Sequence, residues 1–175
     1  MQRKPLTLVQ TILMAMLREG RVVQVSTPQE LYDAPVDRET ALFVGSPQIN
    51  LLRAAITGEG SAIETAWGTL PLPPHMRGIA AANGEFELGL RPEDLELAPD
   101  ARTGLSALLV DVEPLGLKSV LTVENAPGKA AFRLRLLTGS SHARALELGQ
   151  PVGITLPDAG RLLAFDVQSG RSLLL

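Results

Sequence analysis

From residue 51 to the C-terminus, glycine and proline interrupt the chain so often that no apolar stretch runs far before a turn signal. Such punctuation leaves too little continuous chain for long packed helices and selects short strands joined by tight turns. Within it, Phe86, Leu88 and Leu90 share one face of EFELGL with the glutamates opposite. Phe132, Leu134 and Leu136 do the same in FRLRL, with Arg133 and Arg135 facing out. LSALLVDV, SVLTVE, PVGITL and LLAFDVQ are four more candidate strands, separated by NAPGK, LTGS, PDAGR and QSGR. The spacing predicts a mainly β fold, a small antiparallel barrel or sandwich. PLPPHM, from Pro71 to Met76, is too proline-rich for a central strand and reads as an edge or loop.

Ahead of this region lies a different texture. In STPQELYDAPVDRETALFVGSP, Thr27 is an N-cap, Pro28 occupies the first helical position, and Glu30 completes a capping box. Pro35 stops that helix early. Asp37 restarts the chain as a second N-cap, and Gly45 before Pro47 ends it again. Two short helices at a fixed bend are expected, docked through Leu31, Tyr32, Leu42, Phe43 and Val44, because helices this short do not hold alone. Further upstream, Arg3 and Lys4 before an apolar stretch imitate a signal peptide, but Thr7, Gln10 and Thr11 dilute it and REGR stands where small residues would be wanted. A buried segment is the other reading, with GRVVQV a short strand entered through a turn at Gly20.

Composition excludes several functions. A net charge of -3, one Trp and one Tyr give nucleic acid neither a charged track nor stacking platforms. The absence of cysteine removes disulfides, thiolate nucleophiles and zinc–thiolate sites, and fits a reducing cytoplasm. No apolar run has the roughly 18 to 20 residues of a membrane-spanning helix. GxxxxGK[ST] and GxSxG are absent, and His75 and His142 stand apart as surface residues without metal spacing. The Glu93–Asp94 pair after Pro92 reads as a turn or solvated corner, not as an acid–base pair. No catalytic residue and no metal ligand is expected.

Two stretches nevertheless carry a family resemblance. LREGRVVQVSTPQELYDAPVDRETALFVGSPQINLL resembles the join between the ATP-binding and regulatory domains of maltose-type carbohydrate-importer ATPases, through Gly20, Arg21, Gln24, Pro28, Glu30, Leu31, Tyr32, Pro35, Phe43, Gly45, Pro47, Ile49 and Asn50. LGLRPEDLEL is similar to that family's G-[IL]-R-P-E signature, through Gly89, Leu90, Arg91, Pro92 and Glu93. Ser26 replaces the glycine usual before Thr-Pro, so a position able to take positive φ loses that freedom.

The resemblance implies residues 1–25 as the end of a nucleotide-binding domain, 26–52 as a helical connector and 53–175 as a transport-associated β domain related to the oligonucleotide-binding fold and the molybdate-binding barrel. It implies a regulatory, dimer-stabilising role without catalysis, in the cytoplasm, peripheral to the inner membrane. Its partners would be a second copy, the transporter's membrane subunits and a regulatory protein. This chain would hold no cofactor: ATP and magnesium, with the phosphate loop, belong to the missing domain. Arg91 would be a two-pronged clamp on a carboxylate or on carbonyls, and Glu93 would cap the following turn. An oxyanion-binding barrel and a secreted β-protein remain as alternatives; for the first, Arg133 and Arg135 are the strongest basic cluster.

Overall fold

The computed structural model describes residues 12–57, 60–79, 84–125 and 132–175. Arg3, Lys4 and the rest of the first eleven residues, and most of the NAPGK turn, lie outside the described residues.

Strands β1 (Met14–Arg18) and β2 (Arg21–Ser26) form an antiparallel hairpin. Its tip places Glu19 at φ 51° and Gly20 at φ 73°, the left-handed pair that matches the twist of the flanking strands. This hairpin corrects the buried reading of the segment. Leu17, Val22 and Val25 are 61%, 60% and 56% exposed, because a two-stranded ribbon covers one face at most and only Met16, Val23, Gln24 and Ser26 of its strands turn inward to partial burial.

Helix α1 (Pro28–Asp33) starts where the local chemistry demands. The Thr27 hydroxyl accepts from the Glu30 N–H at 3.2 Å, and the Glu30 carboxylate accepts from the Thr27 N–H at 2.9 Å. The Thr27 backbone N–H first, then its hydroxyl, hold the Glu30 carboxyl below its usual range. The capping energy is therefore complete above the ordinary glutamate range and fades as pH falls through the lowered folded value. Thr27→Ala should cost about 1 kcal/mol near neutral pH. Paired melts of the two proteins check this, and the gap between them should narrow in acid.

Helix α2 (Arg38–Phe43) follows Asp37, whose carboxylate accepts from the Thr40 N–H at 2.8 Å. The helices dock through Leu31, Thr40 and Ala41. Phe43 departs from its expected docking role. It is 74% exposed, because α2 turns Thr40 and Ala41 to the core and its last residue falls on the outer side.

The β region forms two five-stranded antiparallel sheets. One is ordered β12-β6-β3-β4-β5 and comprises β3 (Asn50–Thr57), β4 (Ala62–Thr65), β5 (Gly68–Pro71), β6 (Glu85–Leu90) and β12 (Leu163–Asp166). The other, ordered β10-β9-β8-β11-β7, comprises β7 (Glu96–Leu97), β8 (Leu105–Leu115), β9 (Lys118–Asn125), β10 (Arg133–Gly139) and β11 (Pro151–Thr155). A one-turn helix α3 (Ser140–Ala143) follows β10. β5 is an edge strand that ends at Pro71, after which Pro74–Met76 make a single 3-10 turn.

The sheets share one core. Phe86, Leu88 and Leu90 from β6 meet Leu109, Leu121, Val123, Leu134 and Leu136 from the other sheet. Side chains alternate as period-two strands require: Arg133 is exposed and Arg135 half-buried, and they pair with Glu124 at 3.4 Å and Glu113 at 3.6 Å. The last turn of chain returns across the connector. Arg38 N–H donates to the Gly170 carbonyl at 2.8 Å, Ser172 N–H to Val36 at 2.9 Å and Leu173 N–H to Ala164 at 2.8 Å.

Candidate functional site: the joint between connector and β core

Pro92 keeps Arg91 out of helical geometry, at φ -72° and ψ 138°, as β6 ends. The side chain is thereby directed under the two helices and is 2% exposed. Its Nη1 donates to the carbonyls of Val44 at 2.6 Å and Ala41 at 3.2 Å, and its Nη2 to that of Tyr32 at 2.7 Å. These are carbonyls at the C-terminal ends of α2 and α1, the groups a helix cannot satisfy internally. The guanidinium also lies 3.8 Å from the Tyr32 ring centroid, a close cation–π contact. Burial pulls the Arg91 pKa down to about 10, so it stays cationic at neutral pH.

Gly45 leaves room for this contact. It sits at φ +112°, and a Cβ there would fall 3.1 Å from Arg91 Nη1 and 3.2 Å from Tyr32 Cε2. A side chain would meet both backbone strain and crowding.

The other connector residues tighten the same joint. Gln24 spans the bend: its Nε2 donates to the Ala34 carbonyl at 3.1 Å and its Oε1 accepts from the Val36 N–H at 3.0 Å. Pro28 and Glu30 open α1 away from Arg91, and Pro47, after a cis peptide bond, is buried where the connector enters β3. Asn50 belongs to β3 but works between sheets. Its Oδ1 accepts from the Arg135 N–H at 2.7 Å, and its Nδ2 donates to the carbonyls of Arg135 at 2.8 Å and Leu90 at 3.2 Å. Gly89 lies where β6 passes under Ile49 and Leu163; a Cβ would approach Ile49 Cδ1 to 2.8 Å. Phe43 points away from this group.

Glu93 does not cap the turn that follows Arg91. The 3-10 turn Pro92–Asp94 has no side-chain cap and Glu93 is exposed, because the turn closes on the Arg91 carbonyl, 3.1 Å from the Asp94 N–H. Asp94 is the acid drawn inward, and burial pushes its carboxyl up against the opposing pull of Arg161.

Several residues here carried no recognisable signal in the sequence. Arg38 pairs with Glu87 of β6 at 2.5 Å, fixing α2 to the sheet. Arg18 of the hairpin pairs with Asp37 at 2.5 Å. Burial raises the Asp37 carboxyl, but Arg18 and Thr40 together outweigh it and hold the group below its usual range. Arg161 stands 3.5 Å from Asp94 and 3.8 Å from Asp33, at the mouth of a cleft of about 560 Å³ that Tyr32, His75 and Arg91 also line. His75 and His142 are exposed, and the His75 Nε2–H donates to the Leu162 carbonyl at 3.0 Å. Among the described residues no cluster of three or more His, Asp and Glu could hold a metal, and no helix is long and apolar enough to cross a membrane.

Chemically, this arrangement holds two elements in fixed relation and offers no activated nucleophile. Comparison with known proteins agrees with its parts. Residues 45–95 match the MalK OB fold domain and residues 88–163 the TOBE domain. The sn-glycerol-3-phosphate import ATP-binding protein UgpC of Salmonella typhimurium is 31% identical over 171 residues, 97% of this chain and 45% of that protein. The Fe(3+) ions import ATP-binding protein FbpC 2 of Rhodococcus jostii is 32% identical over 153 residues, 87% of this chain and 41% of that protein. The chain thus spans less than half the length of these relatives. Among solved structures, the cytoplasmic molybdate-binding protein ModG is similar over 66% of this chain and 94% of its own, with a TM-score of 0.47 and 14% identity.

Proposed function

Since residues 45–163 belong to the MalK OB-fold and TOBE domain families, we propose that this chain is the regulatory, dimer-stabilising part of the ATP-binding subunit of a solute importer of the carbohydrate type. The observation that carries the reading is the grip of Arg91 on carbonyls from both connector helices. A unit that must pass movement between domains needs a stiff joint, and one buried guanidinium supplies it. In this reading residues 1–25 close the ATP-binding domain, 26–52 are the connector and 53–175 the regulatory domain. The hairpin is coupled to the bend by Gln24 and by the Arg18–Asp37 pair.

In this reading ATP and magnesium are held by the ATP-binding domain, and residues 1–175 take no cofactor. At the α1 and α2 N-termini one N–H each is taken by a capping side chain, that of Glu30 by Thr27 and that of Thr40 by Asp37. The place of action is the cytoplasmic face of the membrane, beside the transporter's membrane subunits, with a signalling protein as a further partner. Against the secreted alternative, the apolar stretch that imitates a leader is, from Met14, a strand hydrogen-bonded to β2.

The expected oligomer is a two-fold dimer, weak without the ATP-binding half. Sedimentation of the purified chain should show concentration-dependent association; a strict monomer at hundreds of micromolar would remove the dimer role.

A further inference from the structure

The two β-sheets share a core but do not meet all round. On one side the first sheet ends in the edge strand β5, and the second presents the start of β8 and the end of β11. They touch where a Cβ on Gly68 would come 2.8 Å from Leu105 Cδ2. Beside that contact they part into a cleft of about 330 Å³, within the size range of small-molecule sites. The buried Leu52, Leu90, Leu134 and Ile154 line its inner part, and the half-buried Leu105 and Leu156 its outer part. One lip is fixed: Gly104 sits at φ +78°, and a Cβ there would fall 2.2 Å from the Ile154 carbonyl oxygen. None of the described residues lining the cleft is ionisable, so it suits neither an anion nor a cation.

The rim supplies one polar pair. In an antiparallel ladder, residue pairs that exchange hydrogen bonds alternate with pairs that do not. The Leu72 N–H donates to the Ser61 carbonyl at 3.1 Å, which makes Leu70–Ile63 a bonded pair and Thr69–Glu64 an unbonded one. Thr69, which lines the cleft, therefore turns its N–H and C=O away from β4, at an edge that no described strand covers. Pro71, next on that edge, has no N–H to offer.

We propose that this cleft binds a small uncharged molecule with an apolar body and one amide or hydroxyl group, its body among the leucines and its polar group on the Thr69 N–H and C=O. The edge itself selects against a peptide strand. A docked strand would gain one bonded pair before Pro71 ends the run, too little to hold an extended chain. Apolar burial is the main driving force, and the single polar pair sets orientation. The inference stands without the regulatory reading above, because neither Arg91 nor either connector helix lines the cleft.

The test is an amide NMR titration of the full 175-residue chain with cyclohexanecarboxamide, and with cyclohexanecarboxylate and acetamide as comparisons. Saturable shifts are expected at Thr69, Leu105 and residues 154–156, with a half-point below about 10 mM. The carboxylate, whose charge would stand unpaired beside leucines, should bind at least about tenfold more weakly. Acetamide, which lacks the apolar body, should not saturate. Leu156→Trp, which fills the mouth, should abolish carboxamide binding, whereas Thr69→Val keeps the backbone pair and should bind as the wild type does. Scattered or unsaturating shifts would overturn the site, as would undiminished binding by a folded Leu156→Trp protein. Equal affinity for carboxamide and carboxylate would overturn it too, and that contrast is read in the wild-type chain whether or not Leu156→Trp folds. A chain that binds the carboxamide yet sediments as a monomer keeps this site and loses only the dimer.

Discussion

Arg91→Ala should lower the stability of the chain by about 3 kcal/mol, since it strips a charged donor from three helix-end carbonyls in a place water does not reach. For a chain of this size that corresponds to a fall in melting temperature of about 10 °C. The size comes from the carbonyls, not from the charge. With its pKa drawn down by burial to about 10, the guanidinium is less protonated when folded than when unfolded between about 10 and its higher, ordinary value. By linkage the fold gains from this group as pH rises through that window, so at neutral pH its charge is a cost that the hydrogen bonds must exceed. Arg91→Lys should recover little, because an ammonium cannot span carbonyls from two helices and keep the face of Tyr32. In a full-length subunit carrying this unit, the change should alter regulation or assembly and leave ATP affinity as it was. A wild-type melting temperature in Arg91→Ala would sink the clamp.

Asn50→Asp should be comparably damaging near neutral pH, at about 3 kcal/mol, although it changes a single amide to a carboxylate of the same shape. Asn50 is 7% exposed and gives both amide hydrogens to carbonyls, of Arg135 and of Leu90. A carboxylate there would face two acceptors and keep only the Arg135 N–H. Its pKa should rise in that setting, and once protonated it regains one donor. The deficit relative to wild type should therefore shrink as pH falls through the raised value. Denaturant melts at several pH values measure it, and a deficit independent of pH would rule out the unmatched carboxylate as its cause.

What could be read from the sequence was the part written in neighbouring residues. Thr27 to Glu30 and Asp37 to Thr40 are contacts within one helical turn, and the alternation through Phe86, Leu88 and Leu90 names its own buried face. Asn50–Thr57 was harder to recognise, since LLRAAIT keeps no strict polar alternation. The candidate site was legible only as a set of residues. The motifs single out Arg91 and Asn50, but their partners lie 47 to 59 and 40 to 85 positions away, and no local rule reaches that far. Phe43 and Glu93 show the opposite error: each has the right chemistry locally, and the tertiary arrangement turns it to solvent.

The returning C-terminal segment has a mechanical meaning. Residues 170–172 pair with the bend at residues 36–38, and Asp37 at that bend also holds Arg18 of the hairpin. Tension applied between the hairpin and the last residues would thus pass through a short stitched path of backbone pairing and one ion pair. The same residues are also paired to β12, by Asp166 N–H to Arg171 and Leu173 N–H to Ala164, so the edge of one sheet shares the load. Pulling on the termini should first unzip residues 170–172 from the bend at low force, while the shared core stays folded until the stitch has parted.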